Sequence, residues 1–224
     1  MSESVKLRHV VSLAGVVREQ SSDPSDATAR AGLEVNRLAG AQVEILVDEA
    51  PQAFQTKMKA VQSDPAWATR GKRIDRATSQ SDGVFFFLDL PPGEAGETYR
   101  LRVSMPHRGS RYGIVETDPI AVQPNLVGEQ VQVAQVDVEL PVTQIVGSVT
   151  DQNGQVVPRA RVRLRGDARS VESGEDGNYR LRHLLAGKPT LEASSAGFET
   201  ALQRVELVAG QTLELDIVLQ PAQN

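Results

Sequence analysis

Three histidines, His9, His107 and His183, are the side chains of this sequence best suited to metal binding or acid–base chemistry. They lie far apart in the chain, and none has a second histidine at the short spacing that metal sites use. The sequence also contains no cysteine. Because a zinc site commonly takes three or four protein ligands, we predict no metal site and no cofactor.

The loop Met105–Gly113 joins cationic, aromatic and flexible residues, a combination typical of protein contact surfaces. We predict that Arg108, Arg111 and Tyr112 contact a protein partner. The alternative interpretation is an ordinary exposed loop.

The single tryptophan, Trp67, follows a predicted amphipathic helix over residues 51–62. Phe54, Met58 and Val61 share one face of this helix, and Asp64-Pro65 ends it. One interpretation is that the helix and Trp67 cover an edge of their own domain, since exposed sheet edges need protection. The other is that Trp67 binds a partner.

Four arginines, Arg159, Arg161, Arg163 and Arg165, alternate with small or aliphatic residues. In a strand this spacing places all four on one face and Ala160, Val162 and Leu164 on the other. We interpret the arginine face as solvated, with an acidic partner as the alternative.

The net charge of the 224 residues is −5 and the pI is near 5.3, which argues against a general nucleic-acid binder. No stretch reaches the roughly 18 consecutive apolar residues of a membrane helix, so we predict no membrane insertion. The amino-terminal residues lack the apolar run of a Sec signal peptide. We therefore expect a cytoplasmic or particle-associated protein.

The sequence repeats itself once. Gly15, Ala41, Gly83 and Asp137 return as Gly147, Ala160, Gly177 and Asp216, at separations of 132, 119, 94 and 79 residues. The shrinking separations show that the first copy carries three insertions, and loops carry most recognition. We predict two domains, residues 1–141 and 142–224, with the specific function concentrated in the first.

The second copy contains seven short runs with strand character, separated by turns such as Asp176-Gly177. Residues 213–219 alternate between apolar and mostly acidic positions, as a half-buried strand requires. The pattern predicts an all-β protein of two tandem, seven-stranded, antiparallel sandwiches. The predicted strands cover residues 144–150, 160–165, 169–173, 178–183, 189–195, 201–207 and 211–219.

The order of these motifs, from Gly147 through Asp176-Gly177-Asn178-Tyr179 to Leu219, resembles the carboxypeptidase regulatory-like family. The first copy resembles it in blocks between its insertions. The resemblance implies a prealbumin-like sandwich that assists folding, spacing or binding. Peptidase activity is not implied, because the chain lacks the zinc-binding His-x-x-Glu arrangement of the catalytic domain.

A shorter resemblance, carried by Phe85–Pro91 and Gly109–Gly113, is to accessory proteins of phage-tail-like contractile injection systems. Among enzymes, His107–Ser110 is superficially similar to the terminal Tyr-Arg-Gly-Ser of hydroxyisourate hydrolase, but it lies in the middle of this chain. A transthyretin-like hydrolase is therefore the less favoured alternative.

A carbohydrate-binding module is the second alternative, and it would need Trp67, Tyr99 or Tyr112 to form an exposed flat platform. We favour a non-catalytic structural or adaptor protein that contacts protein partners, with a component of a phage-tail-like contractile injection particle as the finer hypothesis. The sequence makes no prediction of oligomeric state.

Overall fold

The computed structural model describes residues 9–21, 36–64, 73–94, 96–123, 126–127 and 130–223. It confirms an all-β protein with two sandwiches. The chain forms two compact units, one of Met1–His107 with Ile114–Leu140 and the other of Arg108–Gly113 with Pro141–Asn224. Six residues of the first sequence repeat are therefore part of the second unit.

Unit 1 contains two four-membered sheets and a small hairpin. In the first sheet the central strand β1 pairs with β4 on one side and with β9 and then β10 on the other. The second sheet has the order β3-β2-β5-β6. The strands are β1 (Val11–Glu19), β2 (Gln42–Ile45), β3 (Arg76–Thr78), β4 (Val84–Leu88), β5 (Leu101–Ser104), β6 (Val115–Glu116), β7 (Leu126–Val127), β8 (Gln130–Val131), β9 (Ala134–Gln135) and β10 (Val138–Leu140).

Unit 2 repeats this topology without the hairpin. Its central strand β11 pairs with β14 and, on the other side, with β17 and then β18, and the second sheet has the order β13-β12-β15-β16. The strands are β11 (Gln144–Asp151), β12 (Arg161–Leu164), β13 (Ser170–Glu172), β14 (Asn178–Arg182), β15 (Thr190–Ser194), β16 (Ala201–Arg204), β17 (Thr212–Glu214) and β18 (Ile217–Leu219).

The two copies agree in strand register. Gly15 pairs with Phe85 in unit 1, and Gly147 pairs with Tyr179 in unit 2. Gly147 lies 132 residues after Gly15, and Tyr179 lies 94 residues after Phe85. The sequence repeat has the same two separations at these places. The repeat therefore predicts which residues lie opposite one another in each sheet.

Two details of the strand prediction are wrong. One sheet of each unit is mixed rather than antiparallel, because β9 and β10 run parallel to β1, and β17 and β18 run parallel to β11, whereas the second sheet of each unit is antiparallel. The predicted strand 211–219 is also split, at Leu215 and Asp216. At the split the Leu215 carbonyl accepts a hydrogen bond from the Tyr179 hydroxyl at 2.7 Å, and the Asp216 carboxylate accepts one from the Ser148 amide at 2.8 Å.

Helix α1 (Gln52–Gln62) confirms the predicted helix, and its Phe54 and Met58 are buried. The Phe54 ring meets the Tyr99 ring edge-on, with centroids 5.6 Å apart, inside unit 1. The Tyr99 hydroxyl donates to the Pro91 carbonyl at 2.7 Å. The helix therefore packs within its own unit, whereas Trp67 lies outside the described residues.

Each sandwich interior is aliphatic and aromatic. In unit 2, Ile145, Val149, Leu191 and Leu219 are almost completely buried, together with Tyr179. Burial of such side chains is worth roughly 1.5–3 kcal/mol each, so packing is the main source of stability in a chain without disulfides.

Candidate protein contact site

The predicted contact residues Arg108, Arg111 and Tyr112 lie in one segment of unit 2. The segment begins with two short 3-10 turns over Pro106–Arg111, which meet at Gly109. Gly109 has a φ of 60° and a ψ of −145°, a conformation that is open to glycine and strained for other residues. This glycine forms the kink between the two turns.

The segment is held first by its backbone. The Gly113 amide donates to the Pro141 carbonyl, and the Thr143 amide donates to the Arg111 carbonyl, each at 2.9 Å. Tyr112 and Val142, which lie between these partners, form an antiparallel β-bridge. The segment thus adds a very short strand beside residues 141–143.

Two hydroxyl groups fix the segment further. The Thr143 hydroxyl donates to the Ser110 carbonyl and accepts from the Gly210 amide, both at 2.7 Å. The Ser110 hydroxyl accepts from the Ala186 amide at 2.8 Å. Three separate stretches of unit 2 therefore meet at Thr143, which is fully buried.

Tyr112 is the anchor of the segment. Its side chain is only 9% exposed, and its ring lies 5.7 Å from the ring of His183 in a tilted arrangement. The next residue, Gly113, comes so close to Gly210 that an added Cβ would lie 3.0 Å from the Gly210 Cα and 2.9 Å from the Pro141 Cγ. Tyr112 thus packs inside the unit, and only a residue as small as glycine fits after it.

The exposed part of the segment carries the cations. Arg108 and Gly109 are exposed, and Arg111 is half-buried, with its guanidinium donating to the Arg108 carbonyl at 3.2 Å. A Cβ built on Gly109 would lie 3.4 Å from the Cδ2 atom of Leu185, which is 50% exposed. Arg108, Gly109, Arg111 and Leu185 are called the Arg108–Leu185 surface below. A fixed loop that presents cationic and apolar groups together is suited to protein contacts.

The other predicted contact residues are placed as follows. Trp67 lies outside the described residues. Tyr99 is fully buried in unit 1 and Tyr112 is buried in unit 2, so neither forms the exposed platform that the carbohydrate-binding alternative needs. His9 contacts Asp89, with 2.5 Å between Nδ1 and Oδ2. Among the described residues, no group of three or more His, Asp or Glu side chains is arranged to hold a metal ion.

Of the four alternating arginines, Arg161 and Arg163 lie in β12, whereas Arg159, with a φ of 56°, and Arg165 lie outside the strand, so the prediction of a single strand face for all four is wrong. Ala160 and Val162 are fully buried, while Arg161 is exposed. Arg163 pairs across the sheet with Glu192, with 2.6 Å between Nη2 and Oε1. The arginine face is therefore partly neutralised by its own unit.

The carboxylates with lowered pKa values have structural roles. Hydrogen bonds from the Ser148 hydroxyl and amide lower the pKa of Asp216, at the split between β17 and β18. Burial raises the pKa of Asp75, but the Arg73 guanidinium donates two hydrogen bonds to its carboxylate, and the resulting pKa lies below the ordinary value. Both carboxylates hold the fold together and neither lies in a closed cavity.

An open groove of about 720 Å³ lies on the outer face of the β14-β11-β17 sheet, next to β13. Its charges are mixed, and its Asp216 already accepts two hydrogen bonds from Ser148. The side chains that line the groove are acidic, basic, polar and apolar, and no single type dominates. It is lined by Val146, Gly147, Ser148, Val171, Glu172, Asn178, Tyr179, Arg180, Glu214 and Asp216.

Sequence reasoning missed the role of Thr143, which lies next to the predicted domain boundary, and of two buried serines. The Ser79 hydroxyl accepts from the Ala41 amide at 2.8 Å and donates to the Leu38 carbonyl at 2.6 Å. Ser173 forms the same two bonds in unit 2, with Ala160 and Val157. The signal was present, since Ser79 and Ser173 are 94 residues apart, as Gly83 and Gly177 are.

Comparison with solved structures finds several β-rich proteins with low sequence identity. The shaft pilin SpaA from Lactobacillus rhamnosus GG is 10% identical, with 97% of this chain and 99% of that chain covered and a TM-score of 0.40. The Bacillus anthracis TIE protein is 16% identical, with 94% of this chain and 34% of that chain covered and a TM-score of 0.36.

A cohesin–X-dockerin complex from Acetivibrio cellulolyticus is 18% identical over 34% of this chain, which spans 56% of that chain, with a TM-score of 0.30. At such TM-scores these likenesses support no inference about function. No curated protein sequence matches the chain. Within the described residues, every helix is too short or too polar to cross a membrane.

The family comparison is more specific and concerns unit 2. Residues 144–220, from the start of β11 to just after β18, match the model of the carboxypeptidase regulatory-like domain. The match covers less than half of the chain and includes neither unit 1 nor the segment 108–113. The second unit of this protein is thus similar to a carboxypeptidase regulatory-like domain.

Proposed function

We propose that this chain is a non-catalytic structural or adaptor protein that binds a protein partner through the Arg108–Leu185 surface. The observation that carries the proposal is the proximity of Gly109, which follows exposed Arg108 in the chain, to exposed Leu185, on a segment whose next residues are fixed by hydrogen bonds. A fixed loop loses little conformational entropy on binding, which favours affinity.

The chemistry of this surface points to the kind of partner. A segment that carries two arginines and approaches an exposed leucine at Gly109 complements carboxylates arranged around a small apolar patch. Arginine is also among the residues most often responsible for binding energy at protein interfaces. We therefore infer an acidic protein surface as the partner.

The remaining features of the chain support a structural role. Packing and hydrogen bonding engage the buried tyrosines and the aspartates whose pKa values are lowered. They also engage the hydroxyl groups of Thr143, Ser79 and Ser173. Ser110, the serine of the hydrolase-like tetrapeptide, accepts a hydrogen bond from Ala186. These contacts give each of the groups named above a structural role, so no chemical reaction is needed to explain their presence.

A role in a phage-tail-like particle is a finer proposal with less support. Of the residues that carry the resemblance, Phe85 and Phe87 are core residues of β4, and Ser110 and Gly113 hold the segment in unit 2. Folding explains these residues, so their similarity to particle proteins does not identify a partner.

The proposal is tested by partner capture with matched variants. The double variant Arg108→Glu/Leu185→Asp reverses the charge and removes the apolar group of the surface. The double variant Arg165→Glu/Val218→Asp makes the same chemical changes at two other exposed positions of unit 2. Proteins cross-linked to the native chain in its source cells are identified first, and binding of the purified partner is then measured.

We expect the control variant to bind that partner like the native chain and the surface variant to bind at least about tenfold more weakly, a loss of roughly 1.4 kcal/mol. Equal binding by both variants would refute the Arg108–Leu185 surface as the contact site.

A further inference from the structure

We propose that unit 2 contains a peptide-binding groove that recognises a Ser-x-Tyr-Gly sequence, which leaves a 3-10 turn at Arg111 and pairs with the groove at Tyr112, and that residues 110–113 of the chain itself occupy this groove. The groove is formed by residues 141–143, 183–186 and 209–210. This inference concerns the inner side of the segment and does not depend on the partner proposed for its outer side.

The first argument is that the groove binds the backbone of the segment, through an antiparallel β-bridge between Tyr112 and Val142. The carbonyl of Arg111 and the amide of Gly113 are both paired with the groove, at Thr143 and Pro141. The Ser110 carbonyl is bound by the Thr143 hydroxyl. Addition of an extended peptide to an exposed edge is a recurrent mode of peptide recognition.

The second argument is that three positions of the segment are recognised by their side chains. Ser110 provides a hydroxyl for the Ala186 amide, and Tyr112 fills a buried position beside His183. Gly113 is required because any side chain would collide with Gly210 and Pro141. Arg111, between these positions, is only half-buried, which leaves its position the least restricted.

The third argument is that the segment is foreign to the repeated scaffold. It lies in the chain between β5 and β6 of unit 1, yet its contacts make it part of unit 2. The family model that matches unit 2 covers residues 144–220 without it. Unit 2 thus consists of a continuous scaffold, matched by the family model, and a separate segment that packs on it. A receptor and its bound peptide are organised in the same way.

The proposal is tested with a full-length variant in which residues 108–113 are replaced by an equally long Gly-Ser repeat, so that the groove is vacated. The probe is a fluorescent peptide of residues 106–114. We expect the variant to bind this peptide and the native chain, whose groove is filled, to bind at least about tenfold less. Peptides with Tyr112→Ala or Gly113→Val should lose at least about tenfold in affinity, while Arg111→Ala should change it little.

A folded variant that does not bind the peptide, or that binds a scrambled peptide equally well, would overturn the proposal. Amide exchange in the full-length variant Tyr112→Ala provides a second test if the Gly-Ser variant does not fold. The amides of Ala186 and Gly210, which donate to Ser110 and Thr143, should exchange faster together, and the added peptide should restore their protection.

The amides of Gly187 and Leu207, which pair with each other, serve as internal controls, and Arg108→Ala serves as the control variant. Unchanged exchange at Ala186 and Gly210 in Tyr112→Ala would refute the groove.

Discussion

At the scale of single residues, each unit depends on a glycine in the central strand of one of its sheets. A Cβ on Gly15 would lie 1.7 Å from the Val136 carbonyl oxygen, and a Cβ on Gly147 would lie 1.9 Å from that of Leu215. Both carbonyls lie where the neighbouring parallel strand is interrupted. The missing side chain thus lets the strand ends approach the central strand.

Gly147→Ala is expected to destabilise unit 2 severely, because the methyl group overlaps backbone that cannot move without breaking the β11–β17 and β11–β18 pairing. Overpacking of this kind typically costs about 1–3 kcal/mol or more. Urea unfolding, with amide exchange to localise the effect, measures the change.

Gly154→Ala is the control for Gly147→Ala, since Gly154 has a φ of 78° and no atom within 4 Å of the added Cβ. Its cost is limited to backbone strain of about 1 kcal/mol. A loss in Gly147→Ala no larger than in this control would contradict the steric argument.

The buried serines give a second prediction at this scale. Ser173→Ala leaves the Ala160 amide without its acceptor inside unit 2, and an unsatisfied buried donor costs about 1–3 kcal/mol. Ser79→Ala should have the same effect in unit 1, through the Ala41 amide. The exposed Ser81→Ala should stay within about 0.5 kcal/mol of the native chain in the same unfolding experiment.

At the scale of elements, helix α1 is the main addition to the repeated scaffold of unit 1. It contributes Phe54 and Met58 to the core, and the Glu97 carboxylate accepts a hydrogen bond from the Gln52 amide at its first turn, at 3.0 Å. This bond and a second one from the Glu94 amide lower the pKa of Glu97.

We expect Phe54→Ala to destabilise unit 1 by about 3–5 kcal/mol, because it removes a fully buried ring that packs on Tyr99. Lys59→Ala, on the exposed face of the same helix, should have little effect. Chemical denaturation of both variants gives the comparison, and similar midpoints would show that the helix does not support the core.

The elements also show how far sequence reasoning reaches. Periodicity and Asp-Gly turns predict the strands of unit 2 closely, since five of the eight strands contain buried residues and local turn signals separate the strands. The split at Leu215 and Asp216 is not predictable in this way, because the hydrogen bonds come from Tyr179 and Ser148, far away in the chain.

The candidate site was predicted only in part, because the contacts that determine it also come from residues far away in the chain. Composition identifies the loop of Arg108, Arg111 and Tyr112, but which of them is buried depends on residues 141–143, 183–186 and 209–210. The repeat cannot show this contact, because it aligns one copy with the other and the segment belongs to an insertion. Tyr112, predicted to contact a partner, is instead buried in the unit.

At the scale of the whole molecule, both units contain aspartates whose pKa values are lowered by hydrogen bonds. Asp89 in unit 1 accepts bonds from the Val10 amide and from His9, and Asp216 in unit 2 accepts two from Ser148. Such carboxylates bind protons more weakly in the folded chain than in the unfolded chain.

Their stabilising effect should be fully present above pH 3.8, the reference value for aspartate, and should be lost as the pH falls through the lower folded values. Urea midpoints measured between pH 7 and pH 2 should therefore decline at the acid end. Asp216→Asn should weaken this decline in unit 2, whereas Asp118→Asn, at an exposed aspartate of unit 1, should leave it unchanged. An identical acid profile for Asp216→Asn and the native chain would contradict the assignment.

The membership of residues 108–113 in the second unit has a consequence for how this gene can be divided. An expression fragment that starts at the repeat boundary omits Ser110, Tyr112 and Gly113, and with them a buried ring and several hydrogen bonds. The two copies are consequently not interchangeable modules, because a fragment that lacks residues 108–113 leaves unit 2 incomplete.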